Sequence, residues 1–350
     1  MIPAQRGNFM ALLKRAYFAA ALVLVFGSAA FAGPQQIRVT LQLSEDSALY
    51  ESVAFFKDSI DKELPGAFDI QIFPSAKLYK PNEVPHAVGS GAIEMGAALL
   101  ATYVETIPAT DIFTLPFMFT SDTMLRAATL PESGIRGPID KAILAATGAR
   151  VLWWFSSGPS IVLARGAPVL TPADVAKKTV RVAGTSIAEM VKLCGGTPVE
   201  MGGDQQYEAY KSGSVEIGVT ALNVVPARQL WEVMQSVTVT NHVQNEFVWV
   251  INEKVWQALP SDQRKVFERA ARASDQLFRT KVLGVAKESL ELARQKGMKV
   301  HDLSEAQIKE WKACATPMLS AFLNKSGKLG QTVMNGYRQI LVEAYRTPSR

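Results

Sequence analysis

The sequence is poor in the residues that build metal and redox sites. It contains two cysteines and three histidines among 350 residues. His86, His242 and His301 lie far apart, and none of them belongs to a zinc-binding spacing such as H-E-x-x-H. Cys194 and Cys314 are equally distant and match no zinc or thioredoxin-like motif. The sequence therefore predicts neither a metal site nor a bound cofactor, and it favours structural or surface roles for the histidines.

The two cysteines leave two interpretations open. A buried free thiol behaves as a small apolar side chain, and the sequence favours this interpretation for both residues. A single disulfide is the alternative, because disulfides form in oxidising compartments. In either case burial must supply most of the stability, and hydrophobic residues make up 48% of the chain.

Motifs for nucleotide binding and covalent catalysis are also missing. Gly89, Gly91 and Gly96 do not fit the spacing G-x-G-x-x-G of a dinucleotide-binding loop. The stretch from Ser59 to Lys62 matches S-x-x-K, but the companion motifs of a serine acyltransferase are absent from the sequence. We interpret this stretch as a chance match, and the chain offers no assembled catalytic constellation.

A long apolar run occurs only near the N-terminus. Lys14 and Arg15 precede the apolar residues 16–26, and Ala30-Phe31-Ala32 then shows the small-residue pattern of a cleavage site. The run is about half of the roughly 20 residues that a membrane-spanning helix needs. We expect a signal peptide that is cleaved after Ala32, and hence export to the periplasm. Its removal takes away three cations and lowers the formal net charge from +5 to +2, so bulk charge indicates no nucleic-acid partner.

Two segments of the chain follow the same order of strands and helices. Residues 90–97, SGAIEMGA, reappear as SGSVEIGV at residues 212–219. The triplet at 37–39, Ile-Arg-Val, likewise resembles Val-Arg-Val at 180–182, so that Arg38 takes the place of Arg181. This order predicts two α/β lobes on one βαβαβ plan, with a ligand held beyond the carboxyl ends of the strands.

A long helical pattern follows near the C-terminus. Residues 260–297 contain few helix breakers and carry apolar side chains at helical spacing. We expect one or two long helices here, with Ser261 or Asp262 as the N-cap and Gly297 as the stop.

Arg181 is the candidate binding residue that the pattern itself contains. A guanidinium in a short strand between Val180 and Val182 needs an acidic partner or solvent, because an unpaired charge is costly to bury. The pattern alone favours an edge-strand or surface arginine. Arginine can also bind a carboxylate through two parallel hydrogen bonds, which would suit a receptor for organic acids.

Short features along the whole mature chain resemble one protein family in their order and spacing. They are Phe73-Pro74 with Leu78, residues 90–96, Leu115 to Phe119, Trp153 to Gly158, Pro168-Val169, Thr171 to Asp174, Val180 to Val182, Tyr207 with Ala209, Ser212-Gly213, and Thr240 with His242. Together they resemble the solute-binding subunits of the tripartite ATP-independent periplasmic (TRAP) transporters, the dicarboxylate-binding-protein-like family.

The resemblance implies two α/β lobes with a central sheet in each, crossing hinge strands, and a long helix that spans both lobes. Lobe I would comprise residues 33–155 and about 245–280, and lobe II residues 156–244 and about 281–345. A monomer would enclose a small organic acid between the lobes and deliver it to the membrane subunits of the transporter. A periplasmic sensor of organic acids, or an enzyme that acts on such an acid in the same cleft, remains the alternative.

The resemblance also implies roles for individual residues. In this family an arginine at the place of Arg181 forms a salt bridge with the substrate carboxylate. Many relatives carry a second arginine where this chain has Ser160, so we expect a monocarboxylate with an apolar or aromatic group rather than a dicarboxylate or sugar acid. Further ligand-binding candidates are aromatic residues near the cleft and residues in the loops after the cleft strands. These candidates are Tyr103, Trp154, Phe155, Phe247, Met201, Gly203, Thr220 and Asn223.

Overall fold

The computed structural model describes residues 33–346. Apart from Gln35 at the start of the first strand, the sheet and its helices belong to one compact unit within residues 36–346. The predicted signal peptide and its cleavage after Ala32 lie outside the described residues. None of the helices within residues 33–346 is both long and apolar enough to cross a bilayer.

Strands from both ends of the chain form one mixed sheet. They are β1 (Gln35–Thr40), β2 (Phe68–Phe73), β3 (Met95–Leu99), β4 (Ala149–Ala164), β5 (Thr179–Val182), β6 (Thr197–Glu200), β7 (Ile217–Ala221), β8 (Ser236–Val239), β9 (Gln244–Asn252) and β10 (Lys299–Asp302). Their order is β2-β1-β3-β9-β4-β7-β5-β6, while β8 pairs with β4 and with β10.

Helices cover the sheet and connect its strands. The α-helices among residues 33–346 are α1 (Ala48–Glu63), α2 (Val84–Ser90), α3 (Asp122–Thr129), α4 (Arg136–Thr147), α5 (Thr185–Leu193), α6 (Gln206–Ser212), α7 (Val224–Ala227), α8 (Glu253–Ala258), α9 (Ser261–Gln295) and α10 (Glu305–Arg346). Single 3-10 turns lie at Leu100–Tyr103, Pro108–Phe113, Pro172–Val175 and Leu230–Glu232. Helix α1 begins after Ser47, whose hydroxyl accepts a hydrogen bond from the Tyr50 N–H at 3.2 Å.

The predicted repeat of a βαβαβ plan is confirmed. The first unit of the plan has the strand order β2-β1-β3, and the second has the equivalent order β6-β5-β7. Strand β1 is parallel to β3, and β5 is parallel to both β6 and β7. Gly91 and Gly213 follow α2 and α6 with φ of 83° and 76°, the left-handed conformation that ends a helix without strain in glycine.

The match between Arg38 and Arg181, however, is wrong by two residues. In the first unit Thr40 pairs with Gly96, and in the second Arg181 pairs with Gly218. Gly96 and Gly218 are the equivalent residues of the sequence repeat, so Thr40 is the counterpart of Arg181. Arg38 lies two positions before Thr40 in the same strand, at the end away from the carboxyl edge of the sheet. There it forms a half-exposed ion pair with Glu94 at 2.7 Å.

Two long strands connect the two halves of the sheet. Residues 149–159 of β4 pair with β9, whereas residues 160–164 pair with β7 and residues 162–164 also with β8. The pairing of β4 with β9 is irregular between Ser156 and Pro159, where Gly158 has φ of 83°. These are the crossing strands that the family resemblance implies, and their pairing is interrupted where β4 passes from one half of the sheet to the other.

The predicted long helix is the single helix α9, which packs on α1 and β4 and, further along, on α7 and β10. It therefore spans both halves of the molecule. Its N-cap is Pro260 rather than Ser261 or Asp262, because the helix already begins at Ser261. Gly297 follows the helix with φ of 90°, as expected for a stop.

The interpretation of Cys194 and Cys314 as free thiols is wrong, because the two residues form a disulfide. Cys194 is the C-cap of α5, and Cys314 lies in the first half of α10. Helix α10 packs on α5, which brings the two Cα atoms to 5.4 Å from each other. The local sequence around either cysteine does not indicate that the last helix packs on α5.

Candidate functional site

Arg181 lies on β5, which is flanked by β6 and β7 in the sheet. Its valine neighbours are fully buried in the core, so the alternation along the strand directs the guanidinium to the other face. There Nη1 donates a hydrogen bond to the Val219 carbonyl and Nη2 donates one to the Met201 carbonyl, both at 2.9 Å. Val219 lies in β7, and Met201 directly follows β6. The guanidinium thus lies across the carboxyl ends of three parallel strands.

The charge of Arg181 is buried without a carboxylate partner. Its side chain is 3% exposed, and no ion pair to it occurs within residues 33–346. Its Nε is buried and has no hydrogen-bond partner in that part of the chain. Burial lowers the pKa of Arg181, while the nearby Tyr210 and Asp204 raise it. A buried cation with an unsatisfied donor is costly, and an anionic acceptor at Nε would offset that cost.

The hydroxyl group of Tyr210 lies beside β7, at the residue that pairs with Arg181 of β5. It is fully buried and has no hydrogen-bond partner among the described residues. Burial raises the pKa of Tyr210 to about 12, although the charges of Arg181 and Arg228 lower it. A Cβ atom at Gly218 would lie 1.9 Å from this hydroxyl oxygen. Glycine at 218 therefore allows the phenol to lie next to the residue that pairs with Arg181.

A second guanidinium, that of Arg228, lies against the segment after β6. A Cβ atom at Gly203 would lie 2.5 Å from Nη2 of Arg228, so this guanidinium occupies the space of a side chain at position 203. Burial and the charge of Arg181 lower the pKa of Arg228, whereas Asp204 and Tyr210 raise it, and the net pKa is about 10. The side chain of Arg228 makes no hydrogen bond and no ion pair within residues 33–346.

A small cavity lies where the two βαβαβ units face each other. Its lining includes Leu99 to Ala101 at the end of β3 and Ala183 directly after β5. A Cβ atom at Gly184 would be 3.6 Å from the Cβ of Ala101, so the two units nearly touch here. The remaining lining residues are Thr110, Phe113, Thr114, Ile187, Gln244, Asn245 and Glu246. The cavity is thus mixed in polarity, with one carboxyl group and no basic side chain among its described lining residues.

Ser160 lies beside this cavity, on β4. It is fully buried, and its hydroxyl accepts a hydrogen bond from Nδ2 of Asn245 at 2.9 Å. The same Nδ2 also donates to the Gly158 carbonyl at 3.0 Å. Ser160 therefore holds a residue of the cavity wall in place, and it contributes a neutral hydroxyl where relatives were expected to carry a cation.

The aromatic candidates lie in packed cores. Tyr103 is 1% exposed, and burial raises the pKa of its phenol above the usual range. Trp154 is also 1% exposed, and its Nε1 donates a hydrogen bond to Asp140 at 2.8 Å. The rings of Phe155 and Phe247 lie edge to face, with centroids 6.4 Å apart. The structure thus gives each of these four residues a core partner or a core position.

The loop candidates divide into two groups. Met201, Gly203 and Thr220 lie with Arg181 at the carboxyl ends of β5 to β7, since Thr220 directly follows the carbonyl that accepts from Arg181. Asn223 instead exchanges hydrogen bonds with the Ser157 hydroxyl at 3.0 and 3.2 Å. The sequence predictions did not include Arg228 or Tyr210, because a residue in the loop after a helix and a tyrosine on a helix face carry no motif.

The structure offers no candidate metal site within residues 33–346, because no three His, Cys, Asp or Glu side chains there are grouped to hold an ion. His242 is fully buried, and burial lowers its pKa to about 4. Its Nδ1 lies 2.6 Å from the Thr240 hydroxyl, and its carbonyl accepts from the Phe117 N–H at 2.6 Å. These contacts connect the loop before β9 with the 3-10 region before α3.

A sequence model of the family described as bacterial extracellular solute-binding protein, family 7, matches residues 40–326 of this chain. The C4-dicarboxylate-binding periplasmic protein DctP of Rhodobacter capsulatus is 27% identical over 317 residues, which cover 88% of this chain and 92% of that protein. The 2,3-diketo-L-gulonate-binding periplasmic protein YiaO of Escherichia coli is 24% identical over 259 residues, covering 72% of this chain and 78% of the relative.

Solved structures share the fold. DctP7, a Bordetella pertussis extracytoplasmic solute receptor binding pyroglutamic acid, superimposes with a TM-score of 0.82 at 20% identity, covering 87% of this chain and 99% of that one. A TRAP periplasmic solute-binding protein from Shewanella oneidensis with bound succinate gives a TM-score of 0.80 at 20% identity, with the same coverage of 87% and 99%. The architecture is therefore that of the two-lobe TRAP periplasmic binding proteins.

Proposed function

Because this chain belongs to family 7 of the bacterial extracellular solute-binding proteins, we propose that it is a periplasmic receptor that captures a small organic acid for a TRAP transporter. The N-terminal signal pattern ending at Ala32 supports export. Relatives with solved structures bind organic acids such as pyroglutamate and succinate. In this proposal the protein acts as a monomer that delivers its ligand to the membrane subunits of the transporter.

Arg181 anchors the ligand carboxylate in this proposal. The observation that carries it is a buried guanidinium at the carboxyl ends of β5 to β7, with an unsatisfied Nε and no acidic partner among the described residues. Backbone carbonyls fix both Nη atoms, so the guanidinium plane is held in place before a ligand arrives. A carboxylate would supply both the missing acceptor and the missing counter-charge.

The rest of the ligand is a neutral group in this proposal, so that the ligand is a monocarboxylate with an apolar or aromatic part. The cavity between the two units contains the carboxyl group of Glu246 and no basic side chain among its described residues. Ser160 at its wall is neutral and bound to Asn245. A second carboxylate in this cavity would meet no cation, and its burial would be costly.

A dicarboxylate or sugar acid is the second candidate. It is favoured by the relatives, since those with known ligands include binders of C4-dicarboxylates and of 2,3-diketo-L-gulonate. The two candidates differ in the group that must enter the cavity beside Glu246. Isothermal titration calorimetry with succinate, galactonate, mandelate and 4-methyl-2-oxopentanoate would separate them, and much tighter binding of succinate or galactonate would refute a ligand with an apolar or aromatic part.

Binding is coupled to closure of the two lobes in this proposal. Lobe I comprises residues 33–155 and about 245–280, and lobe II residues 156–244 and about 281–345. An unpaired guanidinium between closed lobes is unfavourable, so the empty protein favours an open cleft in which water solvates Arg181. The anion makes its full contacts only in the closed form and therefore shifts the population towards closure.

The test of the anchor is Arg181→Ala, with Arg38→Ala as the matched control. Both changes remove an arginine from an equivalent strand, but Arg38 is partly exposed and paired with Glu94. We expect Arg181→Ala to weaken binding of the best acid by roughly 30-fold or more, as for the loss of one partner of a buried ion pair. Arg181→Lys should also weaken it, because a point charge does not reproduce the fork of guanidinium donors. Unchanged affinity in Arg181→Ala would refute the anchor.

Receptor and enzyme differ in what happens to the ligand. A receptor returns its acid unchanged after long incubation, whereas an enzyme of the same cleft converts it. Mass spectrometry of the acid recovered from the protein would show which occurs. A sensor would differ in its partner, and neighbouring genes for a histidine kinase rather than for two hydrophobic subunits would favour that role.

A further inference from the structure

Arg228 is a cation that neither the sequence features nor the family resemblance assigned to the site. We propose that Arg228 is a second ligand-binding residue beside Arg181, and that the pair selects acids with an oxygen atom next to the carboxylate, such as 2-hydroxy and 2-keto acids. This inference rests on the proposed function, because it assumes that Arg181 holds the carboxylate.

The position of Arg228 follows from the loop that carries it. Its backbone N–H donates to the Val224 carbonyl at 3.1 Å, which closes the short helix α7. From there the side chain extends to Gly203, where a Cβ atom would come within 2.5 Å of its Nη2. Arg181 donates to the carbonyl of Met201, two residues earlier in the same segment. The two guanidinium groups therefore lie against one three-residue stretch of backbone.

The charges of this cluster match a monoanion. Arg181 and Arg228 each contribute one positive charge, and the exposed Asp204 contributes one negative charge close to both. The net charge of the three groups is therefore that of one cation. Two neighbouring guanidinium groups repel each other, and an anion between them offsets this repulsion. One carboxylate neutralises the cluster, whereas a dianion would leave an excess negative charge.

The hydrogen-bond donors of the cluster exceed what the protein itself uses. Both Nη atoms of Arg181 already donate to backbone carbonyls, but its Nε has no acceptor within the described chain. The guanidinium of Arg228 has no acceptor there either, and it offers a second fork of N–H groups. A carboxylate on Arg181 and a hydroxyl or keto oxygen on Arg228 would use both sets of donors without adding charge.

Pairs of acids that differ in one oxygen test this assignment. Mandelate and phenylacetate form one pair, and 4-methyl-2-oxopentanoate and 4-methylpentanoate form the other. We expect the wild-type protein to bind at least one oxygenated acid about 10-fold or more tightly than its partner, because a partly buried donor without an acceptor is costly. Arg228→Met should reduce this preference to about 2-fold or less. Arg165→Met, which removes an exposed arginine directly after β4, should leave the preference unchanged.

Gly203→Ala provides an independent test that keeps the charge of Arg228. The added methyl group overlaps the end of the flexible Arg228 side chain, so the guanidinium must move while the fold remains. We expect this variant to lose most of the same preference. In the Arg228→Met background, Gly203→Ala should have almost no further effect on it, because the group that it displaces is already absent. Thermal unfolding of each variant checks that the proteins are folded.

The outcomes separate this inference from the proposed function. If Arg181→Ala abolishes binding while Arg228→Met keeps the full preference for the oxygenated acid, Arg228 is not a ligand residue and this inference fails alone. It also fails alone if the wild-type protein binds any of the acids tested, including succinate, pyroglutamate and galactonate, but shows no preference for the oxygenated acid within either pair. If the protein binds none of the four paired acids and also fails to bind succinate, pyroglutamate and galactonate, the proposed function and the inference fail together.

Discussion

Glu246 is a buried carboxyl group on β9 whose ionisation should control the pH dependence of stability. It is 2% exposed, and the Ser156 hydroxyl donates a hydrogen bond to it at 2.7 Å. Burial raises the pKa of Glu246 from 4.5 to about 7; the hydrogen bond and the charges of Arg279 and Arg136 lower it, and Asp275 raises it. The folded protein therefore binds the proton of Glu246 more tightly than the unfolded chain does.

The direction of the effect follows from proton linkage. Well below pH 4.5 Glu246 is protonated in both the folded protein and the unfolded chain, so its titration does not change the free energy of unfolding there. As the pH rises to about 7, the unfolded chain loses this proton while the folded protein keeps it, so the free energy of unfolding decreases. The pKa difference corresponds to a total loss of about 3 kcal/mol. Above pH 7 both states are ionised, and the cost is complete.

Glu246→Gln removes this titration and keeps an acceptor for the Ser156 hydroxyl. We expect the variant and the wild-type protein to have nearly equal free energies of unfolding at pH 4. At pH 8 the variant should be more stable by about 2–3 kcal/mol, because it buries no charge. Urea unfolding at pH 4, 6 and 8 gives these differences directly, and other buried carboxyl groups such as Asp140 cancel because both proteins contain them.

Glu94→Gln is a control of opposite sign. Burial raises the pKa of Glu94, but hydrogen bonds from Arg38 outweigh this effect and lower it overall. Its ionised form therefore stabilises the protein above the pKa of the unfolded chain, and that contribution is lost as the pH falls. Glu94→Gln should be less stable than the wild type at pH 8, with a difference that shrinks towards low pH. A Glu246→Gln variant that is less stable than the wild type at pH 8 would refute the reasoning.

Two further predictions concern buried links between helices. Reduction of the disulfide between Cys194 and Cys314 should lower the free energy of unfolding by about 2–5 kcal/mol, because the bond closes a long loop of the chain; urea unfolding with and without a phosphine reductant measures this, and equal midpoints would contradict it. Arg136→Met should cost about 3–5 kcal/mol, because the buried guanidinium of Arg136 is the shared ion-pair partner of Asp140 and Asp275. The exposed pair of Arg269 with Glu63 gives the control, since solvent screens this pair and Arg269→Met should therefore have a much smaller effect than Arg136→Met in the same urea assay.

Most of the fold could be predicted from local sequence. Apolar periodicity indicated α1 and α9, and the repeat of SGAIEMGA as SGSVEIGV indicated two equivalent βαβαβ units. The wrong match of Arg38 arose because the local triplets look alike, whereas the strand register is set by pairing with β3 and β7. The disulfide was missed for the same reason, because it depends on how the last helix packs on α5. Long-range pairing is what the local patterns did not contain.

The site could be predicted only in part. A lone arginine between two valines is ambiguous by itself, and the family resemblance singled out Arg181 before its buried position was known. The aromatic residues near the cleft had no such distinguishing feature, and the packed cores contain Trp154 and Phe247. Arg228 carried no signal at all, because its place depends on the end of α7 and on the space left by Gly203.

The repeat makes the placement of charge in the two units informative. At the position where Arg181 lies in the second unit, the first unit has Thr40, whose buried hydroxyl has no partner among the described residues. Two opposed arginines would repel each other across a closed, empty cleft. In the proposed function the cations lie in one unit, so an anion would bind to the open form through Arg181 while the other unit remains free to move. Contacts of the neutral part of the ligand with the first unit would then favour closure, so substitutions at Leu99 to Ala101 should alter the selectivity for that neutral part.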